Sequence, residues 1–133
     1  MTIIGLTGSI ASGKTTASKI ISRERGPLFS ADKVVGKLYK NKNFKRSIAR
    51  KFKFKFKFIS EFKKKIKNKI LAKKENLKKL EKIIHPKVRK EMLVFLRKNR
   101  NKKFLFLEIP LLIESKLTKY FDIIIFIKSK KAL

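Results

Sequence analysis

The feature that most constrains this chain is a phosphate-loop motif near its start, Gly8-Ser9-Ile10-Ala11-Ser12-Gly13-Lys14-Thr15. It matches the pattern G-x-x-x-x-G-K-[ST] in full. The motif follows the apolar run Ile3–Thr7, which is typical of a buried strand, and precedes Ala17, Ile20 and Ile21 at helical spacing. A phosphate loop requires this order of strand, loop and helix, so the sequence predicts an α/β nucleotide-binding fold.

The residue types in the motif suit the phosphates of a nucleotide. Glycine lets the backbone approach a phosphate closely, and successive N–H groups at a helix N-terminus form a nest for an anion. Lys14 would reach the β- and γ-phosphates, and Thr15 would ligate Mg²⁺. We therefore expect ATP and Mg²⁺ as cofactors, bound by Gly8, Ala11, Ser12, Gly13, Lys14, Thr15 and Thr16.

Further strands and helices follow along the chain. Pro27–Phe29 predicts a second strand, which leads through Ser30-Ala31-Asp32 into a helix. Phe104–Leu107 and Ile123–Ile127 are continuous apolar runs with helices between them, and they predict central parallel strands. Together these elements predict a three-layer α/β fold of the P-loop NTPase type with a parallel sheet.

The middle of the chain is predicted to be helical, with two local features of its own. His85-Pro86 interrupts the helical pattern, and because proline suits the first turn of a helix, we expect a new helix near Pro86. Lys51–Phe58 alternates strictly, which predicts an extended segment with four phenylalanines on one face. It would either cover the core or form a basic, aromatic platform for nucleic acid. Burial is the preferred interpretation, because an exposed apolar stripe promotes aggregation.

The net charge of +29 raises the question of a polyanionic partner. Lysine outnumbers arginine by 31 to 7, alongside abundant Ile, Phe and Asn, which indicates AT-rich coding. A nucleic-acid surface would use arginine more often, so we expect an anionic small-molecule substrate and no nucleic-acid partner. The chain has no cysteine, no signal peptide and no apolar stretch of about 20 residues. These features predict a cytoplasmic protein without a membrane partner.

Four motifs, in this order, resemble those of the dephospho-coenzyme A kinases: Ile4–Thr16, Ser30–Asp32, Leu80–Pro86 and Pro110–Glu114. The resemblance spans essentially the whole chain. It implies an enzyme that transfers the γ-phosphate of ATP to the ribose 3′-hydroxyl of dephospho-CoA, the last step of coenzyme A biosynthesis. ATP and dephospho-CoA are the partners that it implies.

The resemblance also implies a domain organisation. We expect one P-loop kinase domain at 1–133, with its core at about 1–39 and 101–133 and a helical, substrate-binding insertion at about 40–100. Relatives continue into a helical lid with arginines and a further segment that contacts adenine. Because the chain ends at Leu133, we expect both to be absent and turnover to be poor.

Lys14 and Asp32 are the expected catalytic residues. Asp32 stands where relatives usually have the second aspartate of an Asp-Ala-Asp turn, while Ser30 replaces the first. The resemblance implies that Asp32 faces the acceptor hydroxyl, and a helix N-cap is the alternative role. Glu108 ends the third predicted strand and would hold Mg²⁺ through water, where relatives commonly have aspartate.

The residues expected to bind the phosphate acceptor come from the last two motifs, apart from Asp32. His85, the only histidine, either makes hydrogen bonds at a helix junction or faces the substrate. Pro110–Glu114 would form a turn that lines the acceptor pocket, with Glu114 facing polar substrate groups or starting a helix. The expected substrate residues are Asp32, His85, Pro110, Leu111 and Glu114. Two other interpretations stay open, namely a nucleotide-binding remnant without turnover and a basic nucleic-acid-binding protein.

Overall fold

The computed structural model describes residues 1–8, 14–109 and 117–127, with Lys14 and Thr15 described in their backbone only. The chain divides into two compact units. The α/β unit comprises Met1–Asp32 and Lys90–Leu133, and the helical unit comprises Lys33–Arg89. The helices are α1 (Lys14–Ser22), α2 (Ala31–Lys40), α3 (Lys42–Lys51), α4 (Ile59–Ala72) and α5 (Lys74–Lys98). No helix among the described residues is long and apolar enough to cross a membrane.

Four parallel strands form one sheet in the α/β unit. They are β1 (Thr2–Gly8), β2 (Leu28–Ser30), β3 (Phe104–Glu108) and β4 (Ile123–Ile127), and the strand order is β2-β3-β1-β4. The predicted α/β fold with a parallel sheet is confirmed. The central place predicted for β4 is wrong, because within the described ranges its one hydrogen-bonded neighbour is β1.

Strand β4 is exposed although all of its residues are apolar. Ile123, Ile124 and Phe126 leave 49%, 41% and 47% of their surface accessible to solvent. An apolar run predicts burial, but burial also depends on neighbours that are distant in sequence. The pattern of β4 alone could not distinguish a strand with two neighbours from a strand with one.

Helices pack against both faces of the sheet. On one face α1 contacts β1, β2 and β3, and its Ile21 packs against the buried side chains of Ile4 and Leu6. On the other face the ring of Phe29 in β2 lies 5.5 Å from the ring of Phe95 in the last part of α5. Successive side chains of a strand point to opposite faces, so both faces of a largely parallel sheet are covered.

Helix α5 is continuous over 25 residues with Pro86 inside it, so the predicted new helix at Pro86 is wrong. Leu80, Ile84, Val88 and Met92 recur every fourth residue, and all four are buried. They form one unbroken apolar face along the helix. Pro86 itself is exposed. Burial of the continuous face offsets the roughly 3 kcal/mol that proline costs inside a helix.

The segment Lys51–Phe58 is not the extended strand that its alternation predicts. Helix α3 ends at Lys51, and Lys53 adopts a left-handed conformation with φ of 59°. The N–H of Phe54 donates to the carbonyl of Ala49 at 2.9 Å. This is a Schellman-type helix end, which normally favours glycine at the left-handed position. Because the residue at this position is lysine, the sequence contains no signal that predicts a turn here.

The phenylalanines of this segment nonetheless pack into the helical unit. Phe52 is buried, and the rings of Phe54 and Phe56 lie 5.7 and 5.0 Å from the ring of Phe62. Phe62 is fully buried in α4, whereas Phe58 is 69% exposed. The segment is therefore a connector that covers a core, which agrees with the interpretation preferred in the sequence-based prediction. It does not present four aligned rings for stacking on nucleic acid.

Candidate nucleotide site

The carboxyl ends of three parallel strands meet at one edge of the sheet. Glu108, the last residue of β3, pairs with Leu6 of β1 on one side and with Ser30, the last residue of β2, on the other. Gly8 ends β1 two residues beyond Leu6. Neighbouring strands lie about 5 Å apart and each residue adds about 3.3 Å along a strand, so the three strand ends fall within about 12 Å. Ligands of parallel α/β sheets bind outside the carboxyl ends of the strands, which makes this edge the candidate site.

The phosphate-loop motif leads from this edge into α1. Gly8 is buried at the end of β1, α1 begins at Lys14, and Thr16 lies exposed in the first turn of the helix. The strand and the helix predicted on either side of the motif are therefore confirmed. Five residues of the motif lie outside the described residues, and they include the predicted phosphate-binding residues Ala11, Ser12 and Gly13. Their roles, and those of the Lys14 and Thr15 side chains, stay predictions from the motif.

Asp32 follows β2 directly and lies in the first turn of α2. The helix begins at Ala31, so Asp32 is its second residue rather than the N-cap that one interpretation allowed. The positive end of the helix dipole favours a carboxylate at this position. The Asp32 side chain is exposed to solvent, two residues beyond the Ser30–Glu108 pair. It is therefore accessible to a molecule bound at this edge of the sheet.

A close backbone contact holds β2 against β3. The N–H of Phe106 donates to the carbonyl of Pro27 at 3.0 Å. A Cβ atom added at Gly26 would lie 2.1 Å from the carbonyl oxygen of Phe104, so no larger residue fits there without a shift. Gly26 thereby determines where β2, and with it Ser30, lies along β3. This role was not predicted from the sequence, although a glycine next to a predicted strand can signal a close backbone approach.

Glu108 is almost wholly buried, with 1% of its surface exposed. Its Cα pairs with that of Leu6, so its side chain leaves the sheet on the face that α1 covers. Carboxylate oxygens are the ligands that Mg²⁺ prefers, and nucleotide sites usually hold this ion with one or two carboxylates plus the phosphates. A buried carboxylate at the carboxyl end of β3 therefore fits a magnesium ion that is bound together with a nucleotide.

Other polar side chains are also buried in the α/β unit. The buried hydroxyl residues in the described part of the chain are Thr7, Ser18 and Ser22. The hydroxyl of Ser22 donates to the carbonyl of Lys19 at 3.4 Å. Among the described residues, Thr7 Oγ1 and Ser18 Oγ have no hydrogen-bond partner. Neither residue was predicted from the sequence, because burial of a hydroxyl depends on tertiary packing.

The predicted acceptor residues are only partly described. His85 lies half-buried in α5, within the helical unit, and the helix junction that one interpretation assigned to it does not exist. The predicted turn falls outside the described residues, and with it Pro110, Leu111 and Glu114. Of the predicted site residues, the sheet edge brings Gly8, Asp32 and Glu108 together within the α/β unit.

A parallel sheet whose first strand leads through a phosphate-loop motif into a helix, with acidic residues at or after the ends of neighbouring strands, defines the P-loop NTPase fold. A family model described as dephospho-CoA kinase matches residues 2–133. The chain belongs to the dephospho-CoA kinase family, and the resemblance found in the sequence is confirmed.

Individual relatives agree with this family. The chain is 39% identical over 125 residues to a dephospho-CoA kinase of Zymomonas mobilis, which covers 93% of this chain and 64% of the relative. A solved dephospho-CoA kinase from Campylobacter jejuni matches with a TM-score of 0.67 at 32% identity, over 91% of this chain and 63% of that one. TT1252 from Thermus thermophilus matches with a TM-score of 0.77 at 27% identity, over 96% and 65%. The chain thus spans just under two thirds of the length of each of these three proteins.

Proposed function

We propose that this protein is a kinase that transfers the γ-phosphate of ATP to the ribose 3′-hydroxyl of dephospho-CoA. The observation that carries the proposal is the register of the strand ends, which aligns Ser30 with Glu108 beside the end of β1. One sheet edge then holds the start of a phosphate loop, an exposed carboxylate at Asp32 and a buried carboxylate at Glu108. The family and the names of its members support the same reaction. A cytoplasmic location belongs to the proposal, because ATP is a cytoplasmic metabolite.

The phosphate donor would bind along the loop that follows Gly8. Backbone N–H groups of Ala11–Thr16 would donate to phosphate oxygens, and the Lys14 ammonium group would neutralise charge on the β- and γ-phosphates. Thr15 and Glu108 would hold Mg²⁺, with Glu108 acting through a water molecule. When bound, the ion supplies positive charge to the phosphates and fixes their orientation.

The acceptor hydroxyl would be activated by Asp32. As the 3′-oxygen of the acceptor attacks the γ-phosphorus, the Asp32 carboxylate accepts the proton of the hydroxyl, and ADP leaves with the bridging oxygen. Ser30, at the position before α2, can only donate or accept a hydrogen bond. The proposal therefore assigns the proton transfer to Asp32 alone and leaves Ser30 an orienting role.

The acceptor is itself an anion, because dephospho-CoA contains a diphosphate. The helical unit, Lys33–Arg89, contains 23 basic and 3 acidic side chains, which leaves 20 positive charges in excess. Such a field attracts anionic substrates at long range. We therefore propose that this unit is the acceptor-binding insertion. The motif residues proposed for contacts with the acceptor are His85, Pro110, Leu111 and Glu114.

The nucleotide part of the proposal is tested by calorimetric titration with Mg-ADP. Lys14→Ala should weaken binding about 10- to 100-fold, because it removes a charge-assisted contact to phosphate. Lys19→Ala is the matched control, since Lys19 is an exposed lysine on the same helix. It should change the affinity less than twofold. Equal affinity in the wild type and Lys14→Ala would refute the assignment of the phosphate loop.

The same preparations separate the proposed kinase from the two other interpretations. A nucleotide-binding remnant would bind Mg-ADP and form no CoA from ATP and dephospho-CoA. A nucleic-acid-binding protein would show salt-dependent affinity for an oligonucleotide and no response to Lys14→Ala. The inward packing of Phe52, Phe54 and Phe56 favours the kinase over the latter.

A further inference from the structure

One phenylalanine of the connector between α3 and α4 is exposed to solvent. Phe58 leaves 69% of its surface accessible, and its neighbour Ile59 leaves 37% accessible. Phe54 and Phe56 of the same connector pack instead against a buried ring of α4. Because Phe58 and Ile59 are adjacent in the chain, they form one exposed apolar patch at the start of α4, the Phe58 patch.

Phe58 occupies a position where another residue type would stabilise the fold. It is the N-cap of α4, and its side chain makes no capping hydrogen bond. Serine, threonine, aspartate and asparagine stabilise this position, because their side chains accept a hydrogen bond from a helix N–H. Phe58 thus neither caps the helix nor fills the core. Single exposed apolar residues are common on protein surfaces, but two large adjacent ones fit a contact with another surface.

Lysines surround the Phe58 patch. Residues 51–67 contain eight lysines, no arginine and one acidic residue. Lys57 precedes Phe58 directly, and Lys63 lies one helical turn after Ile59. Both lysine side chains are exposed. The patch is therefore apolar at its centre and cationic at its rim.

Glu61, the acidic residue near the patch, does not cancel this charge. One of its carboxylate oxygens lies 2.9 Å from Nζ of Lys65, and the other accepts a hydrogen bond from the N–H of Lys57 at 3.2 Å. A second copy of this chain would bring the same positive charges together, so repulsion opposes self-association at the patch. The partner that fits is an anionic surface that also accepts apolar side chains.

We propose that the Phe58 patch docks on an anionic lipid bilayer, with Phe58 and Ile59 in the headgroup region and the lysines near lipid phosphates. Apolar side chains beside lysines bind peripheral proteins to membranes in this way. Lysine attracts anionic lipids as a point charge, whereas nucleic-acid contacts favour the planar guanidinium group of arginine. Isoleucine has no ring to stack on a base, which also favours lipid over single-stranded nucleic acid.

This inference goes beyond the proposed function and does not depend on it. The expectation of no membrane partner rested on the lack of a secretion signal and of an apolar stretch long enough to span a bilayer. A peripheral contact needs neither feature, because it reaches only the headgroup region.

The test measures co-sedimentation of the protein with phosphatidylcholine vesicles that contain or lack phosphatidylserine. The wild type should bind only the vesicles with phosphatidylserine, and more weakly as salt is raised. Phe58→Ser should bind them about tenfold more weakly, because it removes the exposed ring and keeps every lysine. Its urea midpoint should be unchanged or higher, since serine is a favoured N-cap. Weaker binding would then not result from unfolding.

Leu71→Ser is the matched control, because Leu71 is 74% exposed in the last turn of α4, outside the patch. It should leave vesicle affinity within about twofold of the wild type. Equal vesicle affinity of the wild type and Phe58→Ser would overturn the inference, because lysine charge alone would then explain the binding. Binding that does not require phosphatidylserine, or no binding at all, would also overturn it.

Two further outcomes would assign the patch to a different partner and overturn the inference as well. One is affinity for a single-stranded oligonucleotide that Phe58→Ser weakens, without binding to vesicles. The other is a dimer, detected by analytical ultracentrifugation, that Phe58→Ser dissociates. The proposed kinase reaction stands or falls separately, because its assays contain no lipid.

Discussion

Replacing Gly26 with alanine should displace β2, although the change adds only one methyl group. The new Cβ atom would lie 2.1 Å from the carbonyl oxygen of Phe104 and 3.0 Å from its carbonyl carbon. Both atoms belong to the backbone of β3, so no side-chain rotation can relieve the contact. The two strands would have to separate locally by about 1 Å in a closely packed region.

The cost follows from what this separation disturbs. Overpacking a well-packed site typically costs about 1–3 kcal/mol. The hydrogen bond from Phe106 to Pro27, 3.0 Å long, would stretch, and a lost backbone bond adds about 1 kcal/mol. We expect Gly26→Ala to lower the free energy of unfolding by about 3 kcal/mol, a large part of the total of about 5–15 kcal/mol for a domain.

Urea unfolding followed by circular dichroism measures this loss, and the chain offers a matched control. Gly36 lies in α2, and a Cβ atom added there would have no atom within 4 Å. Alanine favours a helix over glycine by about 1 kcal/mol, so Gly36→Ala should raise the free energy of unfolding by roughly 0.5–1 kcal/mol. The same methyl group should thus destabilise the protein at one glycine and stabilise it at the other.

The displacement should also reach the proposed active site, because β2 holds Ser30 in register with Glu108 and leads directly to Asp32. Under conditions in which Gly26→Ala stays folded, it should transfer phosphate more slowly than Gly36→Ala. A Gly26→Ala variant within about 0.5 kcal/mol of the wild type would refute the close contact with Phe104. It would also refute the proposed control of the β2 register.

Three further predictions concern the helical unit, and each is checked by urea unfolding. Phe62→Ala removes a fully buried ring and should cost about 4 kcal/mol, so a loss below about 1 kcal/mol would contradict its central place. Lys53→Gly should gain about 1 kcal/mol because glycine adopts φ of 59° without strain, and no gain would argue against the described end of α3. The hydrogen bond from Lys65 lowers the pKa of Glu61 in the folded protein. The pair therefore stabilises the fold at pH values above the pKa that Glu61 has in the unfolded chain. This stabilisation is lost as the pH falls through the lower pKa that Glu61 has in the folded protein. Glu61→Gln should therefore flatten the acid side of the stability curve, and an unchanged acid side would contradict the pairing.

The sequence predicted those parts of the fold that local patterns determine. The strand, motif and helix around Gly8 occur as predicted, and so does the passage from β2 into the helix that contains Asp32. These patterns are informative because apolar periodicity and glycine placement act over a few residues. Gly8 was identified from the phosphate-loop motif, Asp32 from the resemblance to the dephospho-coenzyme A kinases, and Glu108 from its place at the end of a predicted strand.

The errors arose where distant contacts outweigh local preference. Pro86 suggested a helix start, but the buried positions of α5 on both sides of it continue one apolar face. The Lys51–Phe58 alternation suggested a strand, yet a left-handed Lys53 ends α3 inside it. The close approach at Gly26 and the unpaired hydroxyl of Thr7 within the described structure depend on packing between elements, and residue type alone does not reveal such packing.

Labelled ATP offers the most direct test of the proposed phosphoryl transfer. The protein is incubated with Mg-ATP labelled at the γ-phosphate and with dephospho-CoA, and the products are separated by chromatography. Label should appear in CoA with the wild type, and about 10²–10³ times more slowly with Asp32→Asn, which removes a catalytic carboxylate. It should not appear in CoA when dephospho-CoA is left out. Label that stays in ATP or reaches only inorganic phosphate in the presence of the wild-type protein would contradict the proposed function.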